Sequence, residues 1–108
     1  RGNVSSSRTL KDNRDASCSN YPNPFSNSTT IRFKLDMPSN VIMNVYDLQG
    51  RKMSSVNLNR LNAGEQNYEW NATNNLGNAI PSGNYIYKLD IENKAGKFQL
   101  SNKMTIIE

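Results

Sequence analysis

The sequence predicts an all-β, antiparallel sandwich of about seven strands, and three observations point to it. Apolar and polar side chains alternate at a period of two along most of the chain, as half-buried strands require. No segment sustains the 3.6-residue period of a helix. Clusters of Gly, Asn, Asp, Ser and Pro interrupt the alternation at intervals typical of sandwich turns. The 108 residues suffice for one domain. They contain no self-similar period, which excludes a solenoid or a propeller array.

The elements follow in order. Residues 1–18 read as a linker: Arg1–Ser17 holds Ser5, Ser6 and Ser7, four basic side chains and only Val4, Leu10 and Ala16 as aliphatic ones larger than glycine. Such a stretch buries too little apolar surface to offset the entropy of ordering it. Residues 19–108 read as the folded domain. A short pairing segment near Asn20–Tyr21 leads into Tyr21-Pro22-Asn23-Pro24-Phe25, a stiff strut, because proline fixes its own φ and pushes the preceding residue to extended conformations.

An alternating strand carries Ile31, Phe33 and Leu35, and Asp36–Asn40 has turn chemistry. Val41, Met43 and Val45 then share one face of a second strand, with Ile42, Asn44 and Tyr46 on the other. Asp47-Leu48-Gln49-Gly50 turns into Arg51–Leu58, where Met53 and Val56 break strict alternation and a bulge is expected. Leu61–Gly64 is a further turn. Tyr68 and Trp70 point the same way in Glu65–Asn71, and a long polar loop covers 72–83. Tyr85, Tyr87, Leu89 and Ile91 form the clearest strand. After Asn93–Gly96, the last strand is expected to set Phe98, Leu100, Met104 and Ile106 inward. Strands at this spacing around a buried tryptophan predict an immunoglobulin-like β-sandwich.

Composition excludes several function classes. The net charge of +4 divides evenly. Residues 1–18 carry four basic and two acidic side chains, and residues 19–108 carry nine and seven. The interspersed signs offer no basic stripe for nucleic acid. No apolar run approaches the roughly 18 residues of a membrane span. With no histidine, one cysteine in a polar tail and no base beside any serine, nucleophilic catalysis is not expected. Nothing calls for a cofactor. Cys18 reads as an exposed thiol able to join two chains on oxidation. The sequons at Asn3, Asn27 and Asn71 are expected by chance in so Asn-rich a chain.

Asn71, Thr73, Asn75 and Gly77 have the alternating spacing of a calcium loop, yet no carboxylate lies between Trp70 and Asp90. Hard divalent cations depend on such charge, so Asx turns are the better reading and no metal is expected. Trp70 could stack on a sugar, but its strand pattern favours the core. Tyr85, at the start of the penultimate strand, fits a structural corner with its hydroxyl on backbone. Ser101–Glu108 fits a terminal edge strand, whose unpaired backbone could accept a partner's strand or pair two copies of the chain.

Five pieces, in order, resemble a known family: Tyr21–Phe25 with Ser28-Thr29-Thr30-Ile31; Val45–Gly50 with Arg51; Leu61-Asn62-Ala63-Gly64; Trp70 through Gly77, Pro81, Gly83 and Tyr85–Leu89; and the closing Lys103-Met104-Thr105-Ile106-Ile107. The pattern is similar to the C-terminal sorting domain, of type A, of proteins exported by the type IX (Por) secretion system of Bacteroidetes. It also resembles the immunoglobulin-like domain of the flagellar hook-capping protein. The sorting resemblance implies a non-enzymatic address label that brings a periplasmic cargo through an outer-membrane translocon. It implies a shuttle protein as receiver and a sortase that removes the label at the surface. Lys103, Met104, Thr105, Ile106 and Ile107 are its implied recognition residues. The alternative is a noncatalytic carbohydrate- or surface-binding module of a secreted protein.

Overall fold

A computed structural model describes residues 17–108 as seven β-strands in two antiparallel sheets. In chain order they are β1 (Cys18–Tyr21), β2 (Thr29–Leu35), β3 (Ser39–Asp47), β4 (Lys52–Leu61), β5 (Gly64–Trp70), β6 (Gly83–Asn93) and β7 (Gly96–Ile106). One sheet has the order β1-β2-β5 and the other β4-β3-β6-β7. The chain changes sheet after β2, after β4 and after β5, so apolar faces from both sheets meet in one core. The immunoglobulin-like sandwich expected from alternation is the architecture found. The linker expected over 1–18 lies outside the described residues except for Ser17 and Cys18.

The inward residues follow the period-two reading closely. Ile31, Phe33 and Leu35 from β2 meet Val41, Met43 and Val45 from β3 and Tyr85, Tyr87, Leu89 and Ile91 from β6, all buried. Trp70 is among the largest fully buried side chains, a core residue and no sugar platform. The irregularity expected in β4 is two register shifts against β3, which skip Met53 and Leu58. Each extra residue breaks the alternation that Met53 and Val56 fail to keep.

Two expectations of burial fail. Phe98 shares a pleat face with Leu100 but is 48% exposed. The opposite sheet approaches β7 through β1, which starts at the level of Asn102, where the Asn102 Nδ2 donates to the Cys18 carbonyl at 2.7 Å. Phe98 lies beyond that start, so among the described residues no facing strand covers it. Cys18 is the second case. It belongs to β1, paired with Phe33, and is buried with 5% of its surface exposed.

Candidate functional site

The strut and the last strand, far apart in sequence, are bound together at one end of the sandwich. Tyr21 closes β1, and Pro22–Ser28 connects it to β2, so the strut is the turn of a hairpin and not a straight entry into a strand. Both X–Pro bonds in it are cis. From there it runs beside β7. The Phe25 amide donates to the Thr105 carbonyl at 3.1 Å, and the Ile107 amide donates to the Phe25 carbonyl at 2.8 Å. Just before these along β7, the Asn23 side chain stands in for a strand residue. Its Nδ2 donates to the Lys103 carbonyl at 3.3 Å and its Oδ1 accepts the Thr105 amide at 3.0 Å.

The strut is held from behind by buried polar groups. The Thr29 hydroxyl donates to the Pro22 carbonyl at 2.8 Å. Asn20 Nδ2 donates to Thr29 Oγ1 at 3.1 Å, and the Tyr87 hydroxyl donates to Asn20 Oδ1 at 3.2 Å. Buried polar atoms without partners are costly, so this chain of bonds specifies one arrangement. Phe25 fixes the other end. It is buried edge-on against Trp70, with ring centroids 6.3 Å apart. Burial raises the Cys18 thiol to about 11 and pushes the neighbouring Tyr87 phenol up as well.

The terminal residues therefore divide by role. Met104 and Ile106 are core side chains, whereas Lys103 and Ile107 are exposed and Thr105 is half-buried. The edge that should have offered unpaired backbone between Lys103 and Ile107 is already occupied by the strut. Sequence alternation finds the edge but not the residues that cover it.

Gly50, Arg51, Gly83 and Tyr85 lie at the same end, since Asp47 pairs with Tyr85 and Gly83 with Ile106. In the Asp47–Arg51 turn the Gly50 amide donates to the Asp47 carbonyl at 3.1 Å, and φ of +89° at Gly50 suits glycine. Asp47 Oδ1 accepts the Gln49 and Arg51 amides, and Arg51 Nε meets Oδ2 at 2.8 Å. The Arg51 amide is the main cause that holds the Asp47 carboxyl below its usual range. Tyr85 donates to the Pro81 carbonyl at 2.6 Å, the expected corner, and its ring packs beside Gly83. Gly64 sits at the opposite end, paired with Leu35.

The Asn-rich loop is organised by its own side chains. Asn74 Oδ1 accepts the Leu76 and Asn78 amides, an Asx turn. Asn75 binds the Ser55 backbone in both directions and ties the loop to β4. Leu76 is 85% exposed at the tip. Sequence reasoning placed Asn20, Thr29 and Tyr87 in the strands without their hydrogen-bonding roles, and gave Asn102 none. The available signal was Asn20, a polar residue two positions after Cys18 on the same strand face.

Among the described residues no group of three or more His, Cys, Asp or Glu could hold a metal, and no helix is long and apolar enough to cross a membrane. Several solved structures share the fold. PorU from Porphyromonas gingivalis, solved as a latent dimer, superposes with a TM-score of 0.71 at 24% identity, over 85% of this chain and 9% of its own. FlgD from P. aeruginosa gives 0.62 at 25% identity, over 72% of this chain and 61% of its own. PorZ, a bacterial surface component of the type-IX secretion system of P. gingivalis, gives 0.53 at 21%, over 84% of this chain and 11% of its own. The chain thus spans less than two thirds of each of these proteins. No curated protein matches it by sequence. The family described as the FlgD Ig-like domain matches residues 23–97, well over half of the sequence, and the chain belongs to that family.

Proposed function

We propose that this chain is a type IX sorting domain: a non-enzymatic label that directs a periplasmic cargo through the outer-membrane translocon to the cell surface. A shuttle protein and a sortase would be its partners, with cleavage in or before residues 1–18. The observation that carries this reading is the union of strut and terminal strand. Four of the five sequence pieces that resemble sorting domains gather at one end of the sandwich, and two of them are bonded to each other. Folds are shared by many functions, so this convergence on one surface weighs more than the sandwich itself. The likeness to PorU and PorZ, the latter a type-IX component by description, supports the same direction.

The test is to fuse residues 1–108 behind a periplasmic reporter in a bacterium with a working type IX system. Surface delivery that depends on the fused domain is expected. A reporter that stays periplasmic would overturn the reading.

A further inference from the structure

On the reading just given, the geometry points to a composite signal. The receiving partner reads the strut and the last strand together, as one closed surface of side chains, and does not add a strand of its own to Lys103–Ile107. Strand addition needs free backbone groups along an edge. Here the Lys103 carbonyl, the Thr105 amide and carbonyl and the Ile107 amide are all occupied by Asn23 and Phe25. The Lys103 amide is taken as well, by Asn102 Oδ1 at 2.8 Å. Freeing that edge would pull Phe25 out from beside Trp70 and break the Thr29–Pro22 bond. The strut is thus anchored in the core through Phe25 and is not a loose flap.

What remains for a partner is the outer surface of the clasp. Pro22, Asn23, Pro24, Lys103 and Ile107 are all exposed there. Lys103 is the sole charge among Tyr21–Phe25 and Lys103–Ile107. A single cation set in apolar and amide surface fits a protein partner that presents an apolar groove with a carboxylate in it. Asn23 is then a positioning residue, because it sets the last strand against the strut without contributing charge.

Two variants of the reporter fusion test this, with the parent delivered as control; failure of the parent would sink the sorting reading itself and not this one. Asn23→Ala removes both side-chain bonds to the strand. Exchange of the Thr105 amide is expected to quicken at least tenfold while β6 amides hold, and surface delivery is expected to fall several-fold. Full delivery with a demonstrably faster Thr105 amide would overturn the composite signal. The second variant joins the clasp covalently: Cys18→Ser with Asn23→Cys and Thr105→Cys, oxidised and shown folded by amide exchange. Delivery is expected to exceed several-fold that of the same variant kept reduced, since the bond restores the closure that loss of Asn23 removes. Delivery of the locked protein no better than that of its reduced form would show that closure of the strut is not what the partner reads, and would overturn the proposal.

Discussion

At the scale of single residues, the side chains that matter most are those whose polar atoms lie inside the sandwich. Tyr85 was legible because its position at the start of a penultimate strand has a known structural use, and its hydroxyl is on the Pro81 carbonyl as expected. Tyr85→Phe should cost about 1 kcal/mol, the net worth of one hydrogen bond, in a urea melt with unchanged slope. Cys18 was not legible, because a polar tail preceded it and nothing in the sequence showed that it pairs with Phe33. Its folded pKa, raised to about 11, lies above the ordinary thiol value. Between those values the native protein holds a proton that the unfolded chain has lost, so stability should fall as pH rises from about 9 to 11. Tyr87 adds a loss of the same sign above about pH 10, since burial raises its phenol too. Comparing melts of the parent and Cys18→Ala at pH 8 and pH 10 isolates the thiol. The parent should lose more, and equal losses would contradict the burial of Cys18.

At the scale of elements, β7 shows where alternation is enough and where it stops. Met104 and Ile106 are buried as the pattern requires, and Phe98, on the same pleat face, is not. Periodicity gives the face of a strand, but burial also depends on what stands opposite, and β1 begins too late to cover Phe98. The same limit explains the clasp: a period-two reading predicts an edge, while the cover on that edge comes from residues some 80 positions earlier. Met104→Ala and Ile106→Ala should each cost about 2–4 kcal/mol, whereas Phe98→Ala should cost clearly less because its ring is already half in water. Lys103→Ala combined with Thr105→Ala should leave the melt within about 1 kcal/mol of the parent, since neither side chain enters the core. If the sorting reading holds, that folded double variant should still be delivered poorly. Truncation after Leu100 would be a poor substitute, because it removes Met104 and Ile106 from the core along with the proposed recognition residues.

At the scale of the whole molecule, the two long sides of the sandwich are closed differently. On one side β1 and β7 are joined by Asn102 and the strut. On the other, β4 and β5 leave a cleft of about 410 Å³ lined by Phe33, Val56, Leu58, Leu61 and Tyr68, among others. The strand on that rim, β4, is also the one with two register shifts and with Met53, Val56, Leu58 and Leu61 only partly buried. Local opening follows low burial and exposed backbone bonds, so the sheet should open first from β4 and last from the clasp. The alternative is that β7 opens first, because it is the other edge strand of the same sheet. Native-state hydrogen exchange decides between the two. Amides of Thr105 and Ile107 should exchange more slowly than the β4 amides bonded to β3. The reverse order would mean that the clasp is a weak contact, and that the end of the sandwich where strut and last strand meet is held by less than its hydrogen bonds imply.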